Sequence, residues 1–265
     1  MGVALTIDVN QMLFYELLRF FIGPMIKLSL KLKIEGQDNV PDLGPAVMVC
    51  NHRCVFDPAI LAYSVPNRYI SFAAAAWSWK VPGYRLLHEW TGAFPLTLSG
   101  GKGNEELSRG LELLAEGELV GIFPEGGEAL MEPGKAEKIT RFKTGFARLA
   151  LQARAPVIPC AVIGLSERRM LGVPGPYVEM LTENEANREY SSVVYRRAAC
   201  RIGVPVDLGE LYDEPVTKDL LELISTKVRA IVIKLYNGED LDRFLIGEVP
   251  FDFANERVGG GGKLI

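Results

Sequence analysis

Residues 46–63 read AVMVCNHRCVFDPAILAY and combine a short apolar run, a polar turn and a helical pattern. The apolar run Ala46–Cys50 predicts a buried β-strand. The Asp57-Pro58 pair is typical of a helix start, with Asp57 at the N-cap and Pro58 at the first helical position. The stretch therefore continues as a short helix over Pro58–Tyr63. A strand followed closely by a helix is the repeating unit of an α/β fold.

The same alternation extends in both directions along the chain. We predict further strands over Leu32–Glu35, Tyr69–Ala73, Leu119–Phe123, Val157–Ile163 and Arg196–Val206, and helices over Trp77–Trp90, the segment from Asn104 to Gly117, Arg141–Gln152 and Thr217–Leu235. This order predicts an α/β fold with a largely parallel or mixed central sheet flanked by helices. The predicted domain spans residues 31–240, after an N-terminal helical segment (1–30) and before a tail (241–265) whose end, GGGGKLI, is typical of a linker.

The composition of the 265-residue chain excludes two broad classes of protein. With 48% hydrophobic residues the chain can bury a large core, which excludes a disordered protein. The formal net charge of −4 argues against general binding of nucleic acid, which needs a basic face. The four cysteines contain no C-x2-C pair and favour a reducing, cytosolic setting.

Residues 12–30, MLFYELLRFFIGPMIKLSL, have 13 apolar positions out of 19 and raise the question of a membrane span. Inserting the apolar side chains would gain about 4–8 kcal/mol, whereas Glu16, Arg19 and Lys27 would cost about 7–10 kcal/mol near the bilayer centre. Spanning therefore at best breaks even, and Gly23-Pro24 also interrupts the helix.

The charged residues of this segment fall on one side of a helix, and the rest of its surface is Leu, Phe, Ile and Met. The pattern predicts an interfacial amphipathic helix, broken at Pro24, whose Lys27 and Lys31 meet the anionic headgroups of membrane lipids. The protein would then be monotopic or peripheral on the cytoplasmic face of a membrane. A helix packed on the protein's own core is the alternative.

One of the two histidines, His52, stands in an H-x4-D arrangement with Asp57. If a strand ends at His52 and a helix starts at Asp57, the intervening turn brings the carboxylate back towards the imidazole. A carboxylate on one ring nitrogen fixes the tautomer and raises the basicity of the other nitrogen. The pair could therefore remove a proton from an alcohol, although this spacing by itself is a weak signal.

The segment FPEGG, residues 123–127, follows a second buried strand. In open α/β sheets, ligands bind outside the carboxyl ends of the strands. We therefore expect His52 and Glu125 to face one crevice, where Gly126 and Gly127 let the backbone approach a ligand closely.

In this order and spacing, NHRCVFD, FPEGG and VIPCAVIG resemble the first, third and fourth sequence blocks of the glycerolipid acyltransferases, over residues 31–165. The most similar class is the 1-acylglycerol-3-phosphate acyltransferases of phospholipid synthesis. The resemblance implies that His52 is the general base, that Asp57 orients it, and that Glu125 and Gly126 bind the acceptor. It also implies an acyl-CoA or acyl-carrier-protein donor, no cofactor, no metal and a membrane-docking N-terminus.

The chain departs from the family pattern at two places. The third block usually reads FPEGTRS, but here Gly127, Glu128 and Ala129 replace Thr, Arg and Ser. The second block usually ends in an arginine, which residues 92–98 lack. The resemblance assigns both arginines to the acceptor phosphate, and a carboxylate at Glu128 would repel one.

A basic segment offers a replacement for these arginines. Residues 134–154 carry a net charge of +5 and include FKTG, which resembles the Phe-Lys-x-Gly run of the family. We predict that Arg141 and Lys143, together with Lys102 in a Gly-rich loop, bind the substrate. A solvated helix face would explain the same charges, and an acceptor without phosphate would explain the missing arginines.

Other kinds of site fit the sequence less well. Cys50, His52 and Cys54 lack the spacing and the fourth ligand of a zinc site, and residues 100–103 lack the flanking residues of a P-loop. The sequence contains no Gly-x-Ser-x-Gly motif of a serine hydrolase. The family resemblance therefore implies direct acyl transfer to a lysoglycerolipid hydroxyl, with 1-acylglycerol-3-phosphate converted to phosphatidic acid. Cys54 is the one candidate nucleophile among the motif residues. A non-catalytic lipid or acyl-carrier binding module and a thioester hydrolase are the alternatives.

Overall fold

A computed structural model describes residues 8–80, 82–96, 107–126, 139–170 and 192–239. Its strands are β1 (Lys33–Glu35), β2 (Ala46–Cys50), β3 (Ile70–Ala75), β4 (Phe94–Leu96), β5 (Leu119–Ile122), β6 (Val157–Met170) and β7 (Ser192–Ile202). Its α-helices are α1 (Val9–Ser29), α2 (Asp57–Ser64), α3 (Pro82–Trp90), α4 (Ser108–Ala115), α5 (Gly145–Ala153) and α6 (Lys218–Asn237).

The seven strands form one mixed sheet in the order β1-β7-β6-β2-β5-β3-β4. Strands β6, β2, β5, β3 and β4 run parallel to one another, and β7 pairs antiparallel with β6 and parallel with β1. Helices α4, α5 and α6 cover one face, and α1 and α2 pack on the other. The predicted α/β class with a mainly parallel sheet is confirmed, and the carboxyl ends of β2 and β5 lie side by side in its middle.

Some element boundaries differ from the sequence predictions because tertiary contacts use the backbone. The helix predicted from Arg141 begins only at Gly145. Before it, the Lys143 N–H donates to the Pro124 carbonyl (2.8 Å), and the Phe142 carbonyl accepts from the Ser225 hydroxyl (2.9 Å).

Two other predicted boundaries concern the end of the last strand and the start of α4. The last strand ends at Ile202, and Val206 forms only an isolated bridge to Val157. Asn104, the predicted cap of α4, lies outside the described residues.

Helix α1 is continuous, so the predicted break at Pro24 is wrong. Proline removes one backbone hydrogen bond and usually kinks a helix. Here the neighbouring Gly23 is buried against α2, where a Cβ would clash with the Tyr63 ring. This close packing against α2 holds the helix together through the proline.

The polar side of α1 partly faces the domain. Arg19 donates to the carbonyls of Val65 (3.1 Å) and Arg68 (3.4 Å), and it pairs with Glu16 at 2.6 Å. The outer side carries exposed apolar residues: Val9, Met12, Leu13, Leu17, Phe20, Phe21, Ile22, Met25 and Leu28. The helix therefore packs on the core and also presents an apolar surface. In the described part of the chain, no helix combines the length and hydropathy needed to traverse a bilayer.

Candidate active site

His52 lies two residues beyond β2, at the carboxyl edge of the sheet. Its Nδ1 is 3.1 Å from Oδ2 of Asp57, the first residue of α2. The Asp57 side chain is fully buried, whereas the His52 side chain is 12% exposed. With Nδ1 engaged by the carboxylate, Nε2 is the nitrogen that can take a proton from a substrate.

Asp57 holds the turn that precedes α2 and does not cap the helix, so its predicted place at the N-cap is wrong. Phe56 occupies the N-cap position. The Asp57 N–H donates to the Cys54 carbonyl (3.0 Å), and this tight turn directs the carboxylate backwards along the chain. Its Oδ2 accepts from the N–H groups of Arg53 (2.7 Å) and Cys54 (2.8 Å). The same oxygen thus orders the turn and faces the imidazole.

Asn51 fixes the end of β2, a role that the sequence reasoning missed. Its side chain is fully buried and forms two hydrogen bonds with the backbone of Val162 on β6, both 2.9 Å long. A buried amide has to satisfy its donors and acceptors within the protein. The available signal in the sequence was an asparagine directly after an apolar strand. By fixing the end of β2, the Asn51 side chain sets the position of the next residue, His52.

Aromatic rings from neighbouring strands cover one side of His52. The Phe123 ring, just beyond β5, stacks on the imidazole with centroids 4.3 Å apart, and Phe72 of β3 stacks on Phe123 at 5.9 Å. This stack shields one face of the imidazole from water and keeps the ring orientation fixed.

Glu125 links the two loops of the site. It is 4% exposed, and its Oε1 accepts the backbone N–H of His52 at 2.9 Å. Its Oε2 accepts from the Thr140 hydroxyl at 2.8 Å and from the Thr140 N–H. The structure therefore brings Glu125 to His52, as predicted. Through these hydrogen bonds the carboxylate connects the ends of β2 and β5 to the segment before α5.

Comparison with known families places this chain in one of them. The sequence profile of the Acyltransferase family matches residues 31–163, which include the His52–Asp57 turn and Glu125. This chain belongs to the Acyltransferase family.

Three relatives illustrate the range of this chain's similarity. An uncharacterized protein of Mycobacterium tuberculosis is 29% identical over 60% of this chain and 43% of its own length. The "DGAT1/2-independent enzyme synthesizing storage lipids" of Bos taurus is 28% identical over 76% of this chain and 59% of its own. A 1-acyl-sn-glycerol-3-phosphate acyltransferase of Bacillus subtilis is 26% identical over 57% of this chain and 74% of its own. The chain thus spans less than half of the mycobacterial relative.

Among solved structures, the 1-acyl-sn-glycerophosphate acyltransferase of Thermotoga maritima aligns with 83% of this chain and 82% of its own chain. The two sequences are 19% identical, and the TM-score is 0.49.

The predicted substrate-binding residues are only partly within the described structure. Gly126 forms the turn after β5, with φ of +77° and its N–H donating to the Phe123 carbonyl at 3.0 Å. Lys143 lies beside this turn through its backbone bond to Pro124. Arg141 is highly exposed and pairs with Glu222 of α6 at 2.6 Å. Gly127 and Lys102 lie outside the described residues, as does Glu128.

Cys54 carries a buried thiol. Burial raises its pKa to about 12, and the charge of Asp57 adds to that effect. Since the thiolate is the nucleophilic form, a thiol of this pKa is inert near neutral pH. Cys54 is therefore poorly suited to act as a nucleophile.

Proposed function

We propose that the protein is an O-acyltransferase that moves a fatty acyl group from an acyl thioester to the hydroxyl of a lysoglycerolipid. The specific reaction that we propose converts 1-acylglycerol-3-phosphate to phosphatidic acid. The observation that carries the proposal is the contact between the buried Asp57 carboxylate and Nδ1 of His52, at the carboxyl edge of β2. Glu125 holds His52 in this place by accepting its backbone N–H. The relative from Bacillus subtilis, which bears the name of this activity, supports it.

The reaction needs no covalent intermediate. His52 Nε2 takes the proton of the acceptor hydroxyl as its oxygen attacks the thioester carbonyl, and Asp57 stabilises the imidazolium that forms. The tetrahedral intermediate collapses with cleavage of the carbon–sulfur bond, and the imidazolium returns its proton to the leaving thiolate. An acyl-CoA or an acyl-carrier protein supplies the thioester.

One assay tests this function against its rivals. A labelled acyl thioester is incubated with a panel of lysolipids and neutral lipid alcohols, and the products are separated by head group. Labelled phosphatidic acid formed from lysophosphatidic acid supports the proposal. Free fatty acid released without an acceptor would indicate a thioester hydrolase, and lipid binding without turnover would indicate a binding module.

A neutral lipid alcohol is the second candidate acceptor. Glu128 stands where the family usually has an arginine, and the relative from Bos taurus is named for storage lipids. Under this alternative, the labelled product of the same assay would carry no phosphate.

Lys143 provides a direct test of phosphate recognition. If its ammonium group binds the acceptor phosphate, Lys143→Ala should raise the KM for lysophosphatidic acid about 10- to 100-fold, since a charge-assisted contact contributes roughly 1.5–3 kcal/mol. The KM for the acyl donor should change little. The control is Lys33→Ala, an exposed lysine on the distant edge strand β1. Equal KM values in both variants would place phosphate recognition elsewhere.

We further propose that the outer surface of α1 docks on the cytoplasmic face of a membrane, where the lipid substrates reside. Support comes from the exposed apolar residues of α1, with Lys27 and Lys31 exposed near its end. All four cysteines are free and buried, which suits a reducing compartment. An interfacial helix needs such an apolar surface together with basic residues that can reach the headgroups.

Surface substitutions on α1 test this docking without removing its packing contacts. Phe20 and Leu28 are 72% and 82% exposed. The double variant Phe20→Glu/Leu28→Glu should lower partition into anionic vesicles by about 100-fold or more, because each buried side chain contributes roughly 1.5–3 kcal/mol. Val216→Glu, an exposed apolar residue before α6, is the control for added charge. Unchanged sedimentation of the double variant with vesicles would exclude this surface.

A further inference from the structure

Only one oxygen of the Asp57 carboxylate accepts the hydrogen bonds described above. Oδ2 meets the backbone N–H groups of Arg53 and Cys54 and the Nδ1 of His52. Oδ1 is buried and has no hydrogen-bond partner within the described residues. Because an unsatisfied buried carboxylate oxygen is costly, a donor is expected close to it.

The hydroxyl of Tyr195 on β7 is a candidate for the donor that Oδ1 lacks. The residue is 3% exposed, and its hydroxyl is also buried without a partner in the part of the chain that the structure describes. Burial raises the pKa of Tyr195, and the nearby charge of Asp57 raises it further. Cys54 and Tyr195 pack in the same core under α2, so the turn around Asp57 lies close to β7 at this residue.

An irregularity in the β6–β7 pair places Tyr195 on this face of the sheet. Cys200 packs in the core under α2 and Ala199 in the opposite core, so strict alternation would send Tyr195 to the opposite core. The register shifts on either side of Ser166, and Tyr195 instead packs in the core under α2. Bulges re-aim side chains in this way. Gly164 makes room for the change, because a Cβ there would clash with the Tyr195 ring.

We propose that Tyr195 is a positioning residue of the acyl-transfer site, whose hydroxyl donates to Oδ1 of Asp57 and keeps Oδ2 directed at Nδ1 of His52. The inference rests on the proposed function for its chemistry. Tyr195 acts through Asp57 and does not touch the substrate. Its hydroxyl fixes the rotation of the carboxylate and so holds Oδ2 in line with Nδ1 of His52. It also takes part of the negative charge of the carboxylate, which moderates the attraction of Asp57 for the imidazolium.

The pH dependence of the site depends on the titratable groups that surround Asp57. Among the described residues, the charge of Asp57 helps to raise the pKa of Cys50, Cys54, Cys200, Tyr195 and Tyr236. Burial is the main cause that raises the pKa of each of these thiols and phenols, to about 12 for Cys54, Cys200 and Tyr236. Arg53 and Glu167 form an ion pair beside them at 3.2 Å. The Glu125 carboxylate, which accepts the backbone N–H of His52, also lies beside the His52–Asp57 pair.

Tyr195→Phe tests the inference because it removes the hydroxyl and keeps the ring. We expect kcat to fall about tenfold or more, as for one hydrogen bond to a charged group, while both KM values stay within about twofold. The acid limb of the pH profile should move to higher pH, since a carboxylate without its second donor interacts more strongly with the imidazolium. The control is Tyr15→Phe, which removes another buried hydroxyl on α1. An unchanged kcat and an unchanged profile would overturn the inference.

A double-mutant cycle separates positioning from simple packing. In the Asp57→Asn background, Tyr195→Phe should cause no further loss of kcat, because the hydroxyl acts through the carboxylate. Additive losses would show that Tyr195 acts by another route and would overturn the inference.

A second measurement does not depend on turnover. The chain has two histidines, so ¹⁵N-histidine NMR, assigned with His52→Ala, follows protonation of the His52 ring directly. In Tyr195→Phe, its midpoint should rise by about half a pH unit or more. If the wild-type protein shows no acyl transfer, the proposed function is wrong. The NMR midpoint of His52 would still test the hydrogen bond between the Tyr195 hydroxyl and Oδ1 of Asp57.

Discussion

His52→Ala should reduce acyl transfer by about 100- to 10,000-fold, the usual cost of losing a general base. The fold should remain intact, because His52 stands at the edge of the crevice and its side chain contributes mainly the contacts to Asp57 and Phe123. Its backbone N–H, which binds Glu125, is retained in the variant. Steady-state kinetics with saturating thioester and acceptor measure the loss, and thermal unfolding checks the fold.

The second histidine supplies a matched control for this variant. His88 on α3 accepts or donates a hydrogen bond with the Ser78 hydroxyl at 2.8 Å and stacks on Trp79. Burial lowers its pKa, which is consistent with a neutral, structural side chain. His88→Gln should therefore retain most of the activity. If His52→Ala keeps more than about a hundredth of the wild-type rate, the assignment of the general base is wrong.

The sequence predicted those parts of the protein that local pattern determines. Apolar runs such as Ala46–Cys50 marked the strands, and alternation with helices indicated the α/β sheet. The proximity of Glu125 to His52 followed from one rule, that neighbouring parallel strands bring their carboxyl ends to the same edge. Strands β2 and β5 are in fact neighbours.

The partners of the site residues were not predictable in the same way. The hydrogen bonds of Glu125 to Thr140 and of Asn51 to Val162 join residues 15 and 111 positions apart in the chain. Side-chain type alone does not specify such pairs. Tyr195 was missed because its orientation depends on the register shift between β6 and β7, which breaks the alternation that a sequence pattern assumes.

The orientation of α1 shows the same limit of helical patterns. A helical wheel separated charged from apolar positions correctly, but it did not show that Arg19 would bind the carbonyls of Val65 and Arg68. An arginine that satisfies buried carbonyls is a packing residue, whereas the pattern treated it as part of a wetted face. Because Arg19 turns the polar side of α1 partly towards the domain, the apolar side of the helix faces outward.

Asp57→Asn should reduce turnover by orders of magnitude while the fold changes little. The amide oxygen of asparagine can still accept from the N–H groups of Arg53 and Cys54, so the turn before α2 is kept. A neutral amide cannot stabilise the His52 imidazolium by charge, and the loss should fall within about 100- to 10,000-fold. Because the lost interaction forms as the proton moves, kcat should fall and the KM values should stay nearly constant.

Comparison with Asp57→Ala separates the two roles of this carboxylate. Alanine leaves two backbone N–H groups without their acceptor, each at a cost of roughly 1–3 kcal/mol when buried, so this variant should unfold at a clearly lower temperature. Asp57→Asn should unfold near the wild-type temperature and yet be as inactive as the alanine variant. If Asp57→Asn instead keeps activity within about tenfold of wild type, the carboxylate only holds the turn and its charge does not assist His52.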